Sequence, residues 1–301
     1  MEENKLFRAN SFHIVGKLTN ADVKTGRRAT DGEEWVSTTF TISNEVNGKS
    51  NEYEVNCFSY QMTKEGKESS FFKTYSTAKE LVGKTIDVSG DLAENRYYSA
   101  ALNQLLNPVR LNGKFIRGVV DTTPAVAEFT LGGFLAKPLT EQVNKNEEIY
   151  RYTVVLGQSN YKGDSMSLFT LHVSPADVDV VRGVESYDVG STIELRGRLD
   201  FSVEQNTVTK EQAFGKPITR VYTNRQKNFY IESGSDPIVG EEEYSPAVIQ
   251  TLLAAYNAAG TEIMNAAKNN APKTTTTNTP TNSTLKDNST PVIKRQTSLI
   301  K

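Results

Sequence analysis

The chain has 301 residues, a soft prior for two domains at roughly 100–200 residues each. A single cysteine, Cys57, excludes an internal disulfide framework and any zinc site built on two or more thiolates, and only His13 and His172 accompany it. The net charge of −2 is uneven: +1 over residues 1–118, −7 over 119–244 and +4 over 245–301, which excludes a histone-like polycation but not a local positive stripe.

Residues 1–10 are charged and lack an apolar core, so no secretory signal is expected. No run approaches the roughly 18 uninterrupted apolar residues of a membrane span. The expectation is a cytoplasmic protein with no cofactor and no membrane partner.

The first element is the strand around His13-Ile14-Val15-Gly16-Lys17-Leu18. Next, Val36, Thr38, Phe40 and Ile42 alternate with Trp35, Ser37, Thr39 and Thr41, the period of two of a half-buried strand. A third strand turns Tyr53, Val55 and Cys57 inward and Glu54, Asn56 and Phe58 outward. Phe72, Tyr75, Ala78, Leu81 and Val82 then recur at helical spacing. The fourth strand carries Gly90 in its interior, where glycine often marks a bulge or a sharp bend. Arg96-Tyr97-Tyr98 follows on what should be a β-hairpin arm.

From residue 129 the pattern begins again. Gly132 lies 116 positions after Gly16, and at that offset Val36, Thr38, Phe40 and Asn44 fall on Tyr152, Val154, Leu156 and Asn160. Tyr53, Val55 and Cys57 fall on Phe169, Leu171 and Val173. The fourth segment repeats at an offset of 107, with Val82-Gly83 matching Val189-Gly190 and Gly90 matching Gly197. Strands hold their register while a connecting loop changes length.

About five strands with a helix between the third and fourth outline an OB-fold. The fold class expected is therefore all-β, two tandem OB-fold barrels with short helices. The boundaries read as residues 1–120 and 121–236, a linker and amphipathic helix over 237–268, and a tail over 269–301. Ser245-Pro246 has the signature of a helix start. Ile249, Leu252, Leu253, Tyr256, Ile263 and Met264 make one apolar stripe interrupted by Gly260, expected to pack on the second barrel. The Thr- and Asn-rich stretch beyond cannot bury enough apolar area to offset ordering entropy, so a disordered tail is expected.

No catalytic constellation is visible: the phosphate-loop, HExxH and G-x-S-x-G patterns are all missing from the sequence. Cys57 faces inward and reads as a small core residue. What stands out is parity. If Phe40 and Cys57 point inward, Trp35, Phe58 and Tyr60 point outward, and exposed rings suit stacking on unpaired bases. Packing on the helix, the second barrel or another subunit is the other reading of the same rings. Lys24, Arg27 and Arg28 lie on the loop between the first two strands, where they can grip phosphates. In the second copy, Tyr161, Lys162, His172, Arg196, Arg198, Phe201, Arg225, Lys227 and Phe229 could form an equivalent surface. With a net of −7, that copy reads as the weaker nucleic-acid binder and as a candidate protein-contact surface.

The first copy resembles the bacterial-type single-stranded DNA-binding protein family. The resemblance runs through Val15-Gly16-Lys17-Leu18, Asp22-Val23, Thr39-Phe40-Thr41-Ile42-Ser43, Val55-Asn56-Cys57 and Gly83–Leu92, over residues 11–98. It implies an OB-fold that wraps unpaired DNA on aromatic platforms, with Phe58, Tyr60, Arg96, Tyr97 and Tyr98 stacking bases or holding phosphates. Where that family often has a ring early in the third strand, this chain has Glu54. The family carries one barrel and assembles as tetramers; a second barrel here could replace part of that homo-oligomerisation, in the manner of variants from large bacteriophages. An acidic tip that recruits replication proteins is missing from the tail, so recruitment through it is in doubt. The expected function is sequence-tolerant binding of single-stranded DNA in replication, recombination or repair, without catalysis. The alternatives are an OB-fold adaptor that binds protein in a replication or structural complex, and an RNA-binding module.

Overall fold

The computed structural model describes residues 6–210, 214 and 218–269. Three strands follow in turn, β1 (Asn10–Arg27), β2 (Glu34–Val46) and β3 (Lys49–Tyr60). A short helix α1 (Ser70–Ser76) and a 3-10 turn at Ala78–Leu81 lead into β4 (Thr85–Glu94). A small hairpin arm, β5 (Tyr97–Ser99) and β6 (Gln104–Leu106), precedes β7 (Val109–Gly118). Pairing runs β1–β2–β3–β7–β4 and returns to β1, with β3 and β7 parallel and the other neighbours antiparallel. That circuit closes a five-stranded barrel, and because β2 pairs with β1 only from Lys17 onward, the first half of β1 keeps a free edge.

The second half repeats the circuit. Its strands are β8 (Val126–Val143), β9 (Ile149–Ser159), β10 (Met166–Val173), β11 (Thr192–Asp200) and, beyond a hairpin of β12 (Val203–Lys210) and β13 (Ile218–Arg225), β14 (Asn228–Gly234). Helix α2 (Val178–Glu185) sits between β10 and β11, and β10–β14 is again the parallel pair. β8 begins and ends 116 residues after β1, the offset of the sequence repeat. The expected helix before β4 forms, but it breaks at Thr77 into α1 and the 3-10 turn, and Val82 lies exposed instead of packed.

Gly90 and Gly197 explain themselves. Each sits at a register shift, β4 against β7 and β11 against β14. A Cβ on Gly90 would lie 1.9 Å from the Asn112 carbonyl oxygen, and one on Gly197 would lie 1.9 Å from that of Tyr230. Both barrels thus bend at a bulge where only hydrogen fits.

The barrels meet along a seam of near two-fold symmetry. Asn10 to Val15 of β1 pair antiparallel with Leu131 to Val126 of β8. Shifting either strand by the repeat offset returns the same set of pairs, so each barrel presents the same edge to the other. Beside the seam Tyr53, Phe201 and Phe229 are buried, Phe201 lying 5.3 Å from each of the other two rings. The Tyr53 hydroxyl donates to the Leu199 carbonyl at 3.2 Å. Phe201 and Phe229 therefore belong to the core between the barrels, not to an exposed second-barrel surface. Lys49 pairs with Asp200, Arg225 with Glu52 and Lys227 with Glu54 across the same junction.

Helix α3 (Pro246–Asn269) starts at Ser245, whose hydroxyl accepts from Val248 N. Leu252 is buried, and Ile249, Leu253 and Tyr256 pack with Leu6, Phe134 and Met166 on the second barrel, as the stripe implied. Residues 270–301, on which the disordered tail was expected, lie outside the described residues. Among the described residues no helix is long and apolar enough to cross a membrane.

Gly90→Ala and Gly197→Ala should each lower the unfolding free energy by about 1–3 kcal/mol, the usual cost of overpacking. Urea unfolding measures it; an unchanged midpoint for either variant would contradict the bulge contact.

Candidate functional site

Alternation along β2 and β3 separates the core from the outer face. Val36, Thr38, Phe40 and Ile42, and opposite them Tyr53, Val55 and Cys57, are buried. Burial pushes the Cys57 thiol up to about 12, so it is an inert core group. The outward register reads Trp35 opposite Tyr60, Ser37 opposite Phe58, Thr39 opposite Asn56 and Thr41 opposite Glu54. At about 3.3 Å per residue, the row from Tyr60 to Glu54 spans roughly 20 Å.

The rings on this row touch one another. Trp35 and Phe58 stack with centroids 6.1 Å apart and planes at 28°, and Phe58 meets Tyr60 edge-on at 5.0 Å. Arg28 lies over the far face of the ladder, 4.6 Å from the Tyr60 centroid. Trp35 in turn rests on Gly26, where a Cβ would come within 2.4 Å of its ring. Phe58 remains 53% exposed, so part of its ring is open to a flat partner.

Of the three cations beside the ladder only Arg28 lies on the loop; Lys24 and Arg27 belong to β1, which stays paired with β2 to its end, and all three are occupied within the chain. Arg28 bonds Asp31 and Glu33, Arg27 bonds Glu34 at 2.7 Å, and Lys24 lies 3.3 Å from Asp22. The Asp31 hydrogen bond holds the guanidinium of Arg28 charged well above its ordinary range and holds the carboxyl of Asp31 below its own. Exposed pairs of this kind are screened by solvent and worth little, so a phosphate can compete for either arginine.

At the other end of the row lies a groove of about 680 Å³, lined from the first barrel by Thr39, Glu54, Asn56, Tyr97 and Arg110 and from the second by Phe201 and Lys227. Tyr97 is 43% exposed. Arg110 was not singled out in the sequence, because the fifth strand was not assigned there. The alternation of Val109, Leu111 and Gly113 with Arg110, Asn112 and Lys114 is the signal that marks it as outward-facing.

Arg96 is not on this face. Its guanidinium lies 3.7 Å from the Tyr256 ring centroid and donates to the Tyr256 carbonyl at 2.6 Å. Gly260 makes room for it, since a Cβ there would sit 2.1 Å from Arg96 Nη2. The glycine that interrupts the stripe of α3 is thus a docking point for the arm. Tyr98, half-buried, donates from its hydroxyl to Asn103 within the arm.

In the second barrel, Trp35, Phe58 and Tyr60 correspond at the repeat offset to Arg151, Ser174 and Ala176, so no ladder forms. Tyr161 is 76% exposed with Lys162 5.6 Å from its ring, apart from any row of aromatics. Arg196 pairs with Glu194 and Arg198 with Glu232, the latter also lying 5.0 Å from the Tyr230 ring. His172 takes the outward side of β10 yet is only 7% exposed, beside Tyr230 at 6.1 Å. It offers no surface group. Among the described residues no cluster of three metal-ligating side chains occurs.

The chain matches the family model described as YorF over residues 8–268, which takes in both barrels and all but the last residue of α3. Among solved structures it is similar to the wild-type single-stranded DNA binding protein from Thermus aquaticus, with 14% identity and a TM-score of 0.48, covering 77% of this chain and 95% of that one. A deletion mutant of the same Thermus protein gives 12% identity and a TM-score of 0.49, over 77% and 96%. The mitochondrial single-stranded DNA binding protein Rim1 from S. cerevisiae gives 14% and 0.28, over 38% and 98%. No curated protein matches the chain.

Burial first, and the charge of Arg151 second, push the His172 pKa down to about 4. The imidazole is then neutral in the fold but takes up a proton when unfolded, at about pH 6.5. Its stabilising effect is complete above that pH and is lost as pH falls toward 4. His172→Asn should therefore flatten the acid limb of a pH–stability curve between those values. A limb identical to that of the parent chain would contradict a buried, neutral histidine.

Proposed function

The chain belongs to the YorF family, a description that carries no activity, and we propose that it binds single-stranded DNA on the outer face of β2 and β3. The observation that supports this best is the ladder Trp35–Phe58–Tyr60 closed by Arg28. An unpaired base offers a flat face to such rings, and each stacked base contributes roughly 1–3 kcal/mol. Arg27, Arg28 and Lys24 stand where the strand's phosphates pass, and exchange their surface carboxylates for them.

Binding of this kind is tolerant of sequence, because every base has a stacking face, and it weakens with salt as counterions are released. It calls for no catalysis. Residues 1–120 and 121–236 serve as two OB-fold domains, the first holding the strand and the second completing the structural unit that a separate copy would otherwise supply. Work in replication, recombination or repair, phage-borne or bacterial, is the setting such a protein suits. The apolar face of α3 packs on the second barrel and the arm, which leaves less of it to hold a protein partner as an adaptor would.

Phe58→Ala and Tyr60→Ala should each weaken binding of oligo-dT about fivefold or more with an unchanged melting temperature. Titration of the parent chain should quench Trp35, the only tryptophan in the sequence, at low salt and less at high salt. Unchanged emission with no gel shift would favour the adaptor, and unfolding of both alanine variants would mean that the rings serve the core.

A further inference from the structure

The groove between the barrels is continuous with the ladder. Thr39 and Asn56 occupy the next outward step after Ser37 and Phe58, and they already line it. Its volume of about 680 Å³ falls within the range of roughly 300–1,000 Å³ typical of ligand clefts. Its lining mixes the exposed Tyr97 ring, the cations Arg110 and Lys227 and neutral amides with the Glu54 carboxylate and apolar side chains such as Phe201, so a nucleotide finds both a stacking ring and phosphate partners there.

Resting on the function proposed above, we infer that this groove is the second half of the DNA site: a base stacks on Tyr97 while Arg110 and Lys227 take the flanking phosphates. The second barrel then contributes directly through Lys227. Two features prepare the groove for that role. The Asn95 amide, a neutral partner, accepts from Arg110 at 2.8 Å when its oxygen faces the guanidinium, and so steers the arginine, which pairs with no carboxylate among the described residues. Tyr97 stands at the root of an arm clamped by its neighbour Arg96 on Tyr256, and Tyr256 donates from its hydroxyl to Glu94. The backbone that carries the ring is thereby anchored.

Glu54 sets the threshold. Its carboxylate lines the groove and holds Lys227 at 3.1 Å in the free protein. Both side chains are about half exposed, so the pair is weak enough for phosphate to displace the carboxylate. Displacement leaves Glu54 as a repulsive group that limits affinity, which fixes the sign expected on removing its charge.

The test uses the full chain and labelled oligo-dT of about 5 nucleotides, enough for the ladder, and of about 16, enough for both halves. Tyr97→Ala should weaken the longer oligonucleotide at least about fivefold and leave the shorter one unchanged. Lys227→Ala should lessen the salt slope for the longer one by about 0.7, one phosphate contact on a single strand. Glu54→Gln should tighten it, an effect opposite in sign to that of any damaged fold. If all three variants bind the longer oligonucleotide like the parent while Phe58→Ala weakens both, this inference is wrong and the ladder stands. If Phe58→Ala also changes neither, the ladder reading itself fails.

Discussion

Everything at the site depends on the two-faced character of the β2–β3 pair. Closing the barrel turns Phe40, Tyr53, Val55 and Cys57 inward, and the same closure obliges Trp35, Phe58 and Tyr60 to face out. A slip of one residue would bury the ladder and expose the core, so the cost of the slip is borne by the whole apolar set. The hydrophobic effect that folds the barrel therefore also holds the rings in solvent. Trp35 and Tyr60 soften that exposure by packing on Gly26 and under Arg28, while Phe58 keeps most of its face open.

Duplication supplies the rest. The two barrels share one pairing scheme and one self-complementary seam, so each stabilises the other as subunits of a symmetric dimer would. On the outside the two copies differ. The first keeps rings on its outer face, whereas the second has Arg151, Ser174 and Ala176 at those positions and gives the far end of β10 to α3. Near the junction the copies work together: Glu52 and Glu54 of the first meet Arg225 and Lys227 of the second, on the border of a groove that neither barrel makes alone.

What the sequence made legible was local and periodic. The offset of 116 between Gly16 and Gly132 foretold two strands of identical extent, β1 and β8, and the interior glycines foretold two bulges. Parity foretold which side of β3 each ring takes. Two departures are local, the break of the first helix at Thr77 and the extension of β1 through Arg27; the others are contacts between elements far apart in the chain. Arg96 reads as a phosphate ligand until α3, 160 residues on, folds over the arm and presents Tyr256 and Gly260 to it. Phe201 and Phe229 read as surface rings because nothing in their own strands reveals the facing Tyr53. His172 has outward parity, but parity says nothing about a neighbour lying across it.

Ultraviolet cross-linking of oligo-dT to the full chain, followed by mass spectrometry of the adducts, examines the location of the strand directly. The account predicts adducts on the β2–β3 face, at Trp35, Phe58 or Tyr60, with Tyr97 joining them for longer oligonucleotides. Adducts confined to the second barrel or α3, with the ladder unmodified, would contradict it.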